Sequence, residues 1–229
     1  MTTAIYRNPL ARSADVEGFR MEGPGAVSFP RGRLRLESTA DPLEGQAANV
    51  VFWCPEVFKD NIRISWDFHP LTEPGLAIMF FHASGSDGRD LFDPSLAPRT
   101  GPYDQYHSSD IRTYHVSYFR RMWPTERRFH TCNLRKSPGF HLVSQGADPL
   151  PAAVDADPPY RISVEVDDGH VTFAMDGLVL FDWQDDDATG GQRLAGGRIG
   201  LRQMAPLVAE YANLRVDHLA AARTSTVLA

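Results

Sequence analysis

Between Ile62 and Phe68 the chain alternates strictly: Ile62, Ile64, Trp66 and Phe68 fall on one side of an extended backbone, and Arg63, Ser65 and Asp67 on the other. A period of two cannot be laid on a helix, where one face recurs every third or fourth residue. No segment of this chain carries a helical apolar stripe. Ile62 to Phe68 is therefore a half-buried strand of an antiparallel sheet. Short runs of the same kind, bounded by Gly, Pro and Asp, recur along the chain, so helix is expected in less than about a tenth of the residues.

Some strands are apolar on both sides. Phe29 to Ser38 and Asn49 to Cys54 read as extended; in the second, Val50, Phe52 and Cys54 oppose Val51 and Trp53. Gly75 to Ala83 is apolar on both faces up to His82, as a central strand is, and is too short to cross a bilayer. Phe129 to Lys136 sets Cys132 and Leu134 against Thr131, Asn133 and Arg135, and a Ser137-Pro138-Gly139 turn leads to a partner strand, Phe140 to Gln145. The last third reads as a meander: Tyr160 to Val166, Val171 to Met175, Leu178 to Trp183, Gly197 to Gln203 and Ala209 to Val216, with a turn of helix near His218 to Arg223. Regular strands with Gly and Asp turns make an all-β, two-sheet antiparallel sandwich.

The 229 residues fit one β domain, spanning 1–229 with a core from 6 to 217 and a tail from 218 to 229. The Pro-rich run from Asp148 to Pro159 is too short to be a linker and reads as a loop. With 23 basic against 29 acidic residues the net charge is −6, which argues against nucleic acid or an anionic membrane as the main partner. Cys54 and Cys132 sit in apolar strand patterns without a second Cys at ligand spacing, so two free thiols are expected. The first residues lack the uninterrupted apolar segment of a signal peptide, so a cytoplasmic location is expected. Nothing in the pattern specifies an oligomeric state.

The string YHVSYFRR, Tyr114 to Arg121, departs from this plain pattern. It puts two tyrosines, a histidine, a serine and two arginines on one strand, too polar for a core and too aromatic for a surface. One parity is Tyr114, Val116, Tyr118 and Arg120; the other is His115, Ser117, Phe119 and Arg121. Val116 matches core-facing Leu134 better, which favours His115, Ser117 and Arg121 in a groove beside Thr131, Asn133 and Arg135. Tyr118 and Arg120 stay in reserve, because one bulge would reverse the assignment. The strand is fed by a Gly, Asp and Pro-rich loop, Ser84 to Asp110, carrying Asp90, Asp93, Tyr103, Tyr106 and Asp110. Loops of this length in a compact domain are commonly binding loops.

The closing strands, RISVEVDDGHVTFAMDGLVLFDW, GGRIGLRQ and YANLRV, resemble those of the concanavalin A-like lectin and glucanase jelly roll. The combination of VFWCPEVFKDNIRISWDF, FFHASGSDGRDLFDPSL, YHVSYFRR and NLRKSPGFHLV resembles the YesU-like family of bacterial jelly-roll proteins, over Tyr6 to Asp217. The resemblance implies a jelly-roll sandwich and an association with the breakdown of pectin-type polysaccharides. It implies no mechanism, and fold alone supplies none.

A retaining glucanase needs two carboxylates about 5 Å apart. The nearest string, Glu165-Val166-Asp167, runs into a turn and reads as a solvated strand end. His, Tyr, Arg and Asn suit a different chemistry on uronates. Arg or Asn neutralises the carboxylate, and His or Tyr moves the adjacent proton. The candidates for proton transfer are His115, Tyr118 and Tyr106; those for binding are Trp53, His82, Ser117, Arg120, Arg121, Asn133 and Arg135. Trp53 reads equally well as a stacking platform and as a core residue. The expected partner is an acidic oligosaccharide, handled by a lyase or hydrolase without paired carboxylates; the alternative is a noncatalytic sugar-binding module. Asp90, Asp93, Asp110 and His82 match no calcium loop and read as turn formers, so neither metal nor cofactor is expected.

Overall fold

The computed structural model describes residues 2–220. In chain order the strands are β1 (Thr2–Asn8), β2 (Arg20–Glu22), β3 (Gly25–Ser28), β4 (Leu34–Ser38), β5 (Val50–Trp53), β6 (Phe58–Lys59), β7 (Ile62–Pro70), β8 (Leu76–Gly85), β9 (Ile111–Tyr118), β10 (Thr131–Ser137), β11 (His141–Ala147), β12 (Tyr160–Asp167), β13 (His170–Met175), β14 (Leu178–Gln184), β15 (Gly196–Met204) and β16 (Ala209–Leu219). Two short α-helices, α1 (Asp104–His107) and α2 (Pro124–Arg128), interrupt them. With the 3-10 turns the helical share is 11%, slightly above the tenth expected.

The strands form two eight-stranded antiparallel sheets. The first runs β14-β13-β12-β7-β16-β4-β3, with β1 on β16; the second runs β11-β10-β9-β8-β15-β5-β2, with β6 on β15. The alternation on β7 does what the sequence demands. Ile64 pairs with Val164 on one side and Val216 on the other, and Ile62, Ile64, Trp66 and Phe68 all point into the space between the sheets. Opposite them stand Val50, Phe52, Ala77, Met79, Tyr114, Val116, Tyr118, Leu134 and Leu201. Trp66 donates its indole N–H to the Tyr118 hydroxyl (3.1 Å), and Phe68 meets the Tyr118 ring edge-on, so Tyr118 stitches the two sheets together.

The meander holds for β12, β13 and β14 only. β15 crosses to the second sheet between β8 and β5, and β16 returns to the first between β7 and β4. The crossover is fixed by Lys136, buried at the inner end of β10, whose Nζ reaches both oxygens of Asp185 (2.9 and 2.8 Å) while the Tyr114 hydroxyl donates to the same carboxylate. His218 and Leu219 close β16 instead of opening a helix, and Arg223 lies outside the described residues.

β9 ends in a local reversal that the sequence pattern did not reveal. Phe119 adopts a left-handed backbone conformation (φ 48°), which breaks the alternation after Tyr118. Arg121, expected in the groove, is turned inward instead, 1% exposed, with Nη1 on Asp148 (3.4 Å) and Nη2 on the Leu150 carbonyl (2.7 Å). Arg120 takes the outward place. A buried pair of this kind is costly to halve, because the survivor keeps its charge without a partner.

Two measurements test this packing. Arg121→Ala should lower stability by about 3–5 kcal/mol in chemical denaturation, by the cost of stranding a buried charge. A loss under about 1 kcal/mol, ordinary for a surface pair, would show that Arg121 is solvated. Cys54 and Cys132 are both buried and free. Thiol titration of the denatured, unreduced protein should therefore find two thiols, and none would mean a disulfide.

Candidate functional site

The second sheet has two apolar faces, so its outer side also needs a cover. Antiparallel register lines its residues up in rows. One row runs Arg135, His115, Phe80, Gly200, Trp53 and Arg20 across six strands. The loop before β9 lies over it. Tyr106 stacks on Phe80 (5.5 Å between centroids) and beside Trp53 (6.4 Å), and Leu91 and Leu96 complete a second small core. Gly200 is required here: a Cβ would sit 2.3 Å from the Trp53 ring. Trp53 itself is fully covered and donates its N–H to Glu22 (2.8 Å).

The next row runs Gln145, Asn133, Ser117, Ile78 and Arg202, and the loop reaches only its Arg202 end, through Gly101 and Tyr103. From Asn133 to Arg202 it floors a cavity of about 350 Å³, walled by Tyr103, Arg120, Trp123, Glu126, Arg135 and Phe140. That volume is at the small end of the range for small-molecule sites, about 300–1,000 Å³. Trp123 and Phe140 stand 46% and 47% exposed at its mouth; Phe140 is already packed by Arg135, Tyr103 and His107, which leaves Trp123 to offer a ring face.

The walls are strongly basic. Arg120 pairs with Glu126 (2.7 Å) and Thr131 (2.6 Å). The Asn133 amide orientation that satisfies its neighbours turns its oxygen toward Arg120 Nη1 (3.2 Å). Arg135 lies over the Phe140 ring (3.6 Å) and donates only to the Phe140 carbonyl. Arg202 is buried, donates to the Gly101 carbonyl (2.7 Å) and rests against the rings of Tyr103 (4.8 Å) and Tyr106 (5.0 Å). Neither Arg135 nor Arg202 has a carboxylate partner among the described residues. Burial lowers the pKa of both from the usual arginine value, the mark of a cation held without full solvation.

The groove parity favoured from sequence is the one found: His115, Ser117, Asn133 and Arg135 share a face, with Arg120 substituting for Arg121. His115, however, lies under the loop, 1% exposed, its Nδ1 2.8 Å from the Tyr103 hydroxyl and its Nε2 3.2 Å from Ser137 Oγ. Its pKa is held well below the ordinary histidine value, first by burial, then by Arg135, His107 and Arg202, so the ring is neutral. Tyr118 is in the inter-sheet core, and Tyr106, carried by the loop, is packed down on Phe80 and Trp53, so neither nominated tyrosine lines the cavity. Trp53 is a core residue. His82 is buried at the far end of β8, its Nδ1 on the Leu194 carbonyl (3.0 Å). Glu165, of the weighed carboxylate pair, is on the other sheet and bound by Arg63 (2.6 Å).

The nominations left out Arg202, Tyr103, Trp123, Phe140 and Glu126. Arg202 had a readable signal, a cation between Gly200 and Met204 on the face of a central strand whose other parity is Ile199, Leu201 and Gln203. Tyr103 and Trp123 come from loops, and only the folded chain brings them to the cavity.

Residues 3–216 match the model of a domain of unknown function, DUF1961. The chain is 52% identical over 212 residues to the uncharacterised protein YesU of Bacillus subtilis (strain 168), covering 93% of this chain and 94% of YesU. A crystal structure of a Bacillus subtilis protein of unknown function with a galectin-like fold superimposes with a TM-score of 0.91 at 50% identity, over 95% of this chain and 98% of that one. A carbohydrate-binding module, CBM66 of Bacillus subtilis, shares the fold at a TM-score of 0.53 and 12% identity, over 86% and 93% of the two chains. By both the extent of the domain match and the identity to YesU, the chain belongs to the DUF1961 family.

Proposed function

We propose that the cavity binds the end of a short acidic oligosaccharide, of the uronate-containing, pectin type. The observation that carries this is the pair Arg135 and Arg202, two guanidiniums in one cavity without a carboxylate partner among the described residues. A buried or half-buried cation without a counter-ion is held at a cost that an anionic ligand offsets. A planar guanidinium fork matches a carboxylate bidentately, which suits a uronate better than an unshaped anion.

The remaining walls fit the rest of a sugar. Ser117, Asn133 and Gln46 offer hydrogen bonds to sugar hydroxyls, and Trp123 offers a ring face for the apolar side of a pyranose. Carbohydrate binding is also what the name of the CBM66 neighbour describes, although at 12% identity that likeness concerns the fold alone. The cavity's modest volume favours a chain end or short fragment over the middle of a polymer.

Charge-assisted hydrogen bonds are worth about 1.5–3 kcal/mol, or roughly ten- to hundredfold in affinity. In titration calorimetry, Arg135→Ala should weaken a tri- or tetragalacturonate by about tenfold or more and barely change a neutral oligomer of equal length. Equal affinity for acidic and neutral sugars, unmoved by the substitution, would discard the anion site. Trp123→Ala separates stacking from charge: it should weaken acidic and neutral sugars alike, by about the 0.5–1.5 kcal/mol of an aromatic contact. Sugar binding that resisted both substitutions would place the ligand outside this cavity.

A further inference from the structure

We infer that Tyr103 is the proton-transferring group of this cavity, backed by His115, and that the reaction it serves is β-elimination from a bound uronate. The inference rests on the anionic reading of the cavity above and adds chemistry to it.

The geometry is a hydrogen-bonded chain running inward from the cavity wall. Tyr103 Oη meets His115 Nδ1 (2.8 Å), His115 Nε2 meets Ser137 Oγ (3.2 Å), and Ser137 Oγ meets the Gly139 carbonyl (3.0 Å). Counting protons fixes the direction. The carbonyl can only accept, so Ser137 spends its one proton there and must accept from His115. Nε2 therefore carries the ring proton, and Nδ1 presents a lone pair to the Tyr103 hydroxyl. Tyr103 donates to His115 and receives no hydrogen bond among the described residues, so its oxygen keeps lone pairs to spare. The order is phenol, neutral imidazole, hydroxyl, carbonyl, which lets a proton move from Tyr103 to His115 without any rearrangement of the ring.

The same guanidiniums serve the chemistry. A carboxylate neutralised by Arg135 and Arg202 acidifies the hydrogen on the adjacent carbon, because the charge developing there is delocalised onto a partner already paired. Tyr103 Oη takes the C5 proton as its own proton passes to His115 Nδ1. The C5–H electron pair becomes the C4=C5 double bond, and the C4–O bond breaks. The leaving oxygen takes the proton that Tyr103 has just acquired, and His115 returns its proton to the phenolate. Atoms and charges balance with no co-reactant.

The environment couples this relay to the substrate. Burial, Arg135, His107 and Arg202 hold His115 neutral in the free protein, and burial pushes the Tyr103 hydroxyl up to about 12. Two of those charges, Arg135 and Arg202, are the ones a carboxylate would neutralise, so the acidic substrate restores basicity to His115 on binding. A neutral sugar would leave the relay idle. Tyr103 itself, Ser137, His107, Arg135 and Arg202 are the polar and charged groups that face His115 from the loop, α1, β10 and β15.

The test is turnover of galacturonate oligomers, read by the ultraviolet absorbance of the unsaturated product and by its mass, alongside binding. Wild type should give unsaturated product. Tyr103→Phe should bind within about twofold of wild type but lose turnover by about a hundredfold or more, the scale of a general acid–base group. His115 acts through Tyr103, so its readout is the pH profile. Turnover should fall as pH falls through the His115 pKa, since a protonated Nδ1 accepts nothing, and the acid limb of kcat should lie at higher pH than that of kcat/KM because the bound carboxylate raises that pKa. His115→Gln should lose this limb. If wild type binds acidic oligomers without forming unsaturated product, or Tyr103→Phe turns over like wild type, the elimination is wrong and the binding site stands. If wild type does not bind them, the anionic reading falls as well.

Discussion

A sheet that is apolar on both faces has to be covered twice, and the architecture of this protein follows from meeting that demand with unequal means. The inner face of the second sheet is covered in full by the first sheet. The outer face is covered by a loop, and a loop brings too few apolar side chains to cover a sheet eight strands wide. Leu91, Leu96 and Tyr106 close over Phe80 and Trp53 and stop. The adjoining row, from Asn133 through Ser117 and Ile78, is covered by the loop only at its Arg202 end, and the space left over the rest is the cavity. Its position is thus a remainder of packing, set by how far the loop extends.

Electrostatics give the remainder its character. Exposed arginines such as Arg20 and Arg128 do without a carboxylate among the described residues, but elsewhere the structure pairs the arginines it buries. Glu210, buried, gathers Arg31, Arg33 and Arg35, which together hold its carboxyl at a pKa of about 2. Arg99 is paired to Glu22 and Arg121 to Asp148. In a chain of net charge −6, the cavity's unpaired Arg135 and Arg202 run against the overall balance. Burying cations without partners is destabilising, and such an expense is retained most readily where a ligand repays it. Glu126 shows the limit of the internal supply: it satisfies Arg120 and caps α2 through the Met122 and Trp123 N–H groups, and has nothing left for the other two.

The relation to YesU and to a galectin-like crystal structure ties this arrangement to a family, while the more distant CBM66 shares only the sandwich. Jelly rolls host lectins and glycosidases alike, so the sandwich is silent about chemistry. What distinguishes the present site from a paired-carboxylate hydrolase is positive evidence of another kind: its one wall carboxylate, Glu126, is consumed by Arg120, and the donors around it are guanidiniums, two amides, two aliphatic hydroxyls and a phenol.

Much of this was legible in the amino-acid sequence, because period-two alternation is a local property that any reader of the chain can apply. The alternation of Ile62 to Phe68, the two apolar faces of Gly75 to Ala83 and the matching of Val116 with Leu134 determined the sandwich, the central strands and the face shared by His115, Ser117, Asn133 and Arg135. What the tertiary structure alone decided was where alternation fails and what lies on top. The left-handed turn at Phe119 exchanged Arg120 for Arg121, and a bulky residue in that conformation leaves no mark in a hydropathy pattern. The loop buried His115 and Trp53 beneath it, turned its own Tyr106 inward and brought Tyr103 to the wall, since a side chain's exposure depends on segments distant in sequence that happen to fold over it. Strand parity is written in the residues themselves, whereas a roof over a strand is written only in the three-dimensional path of another part of the chain.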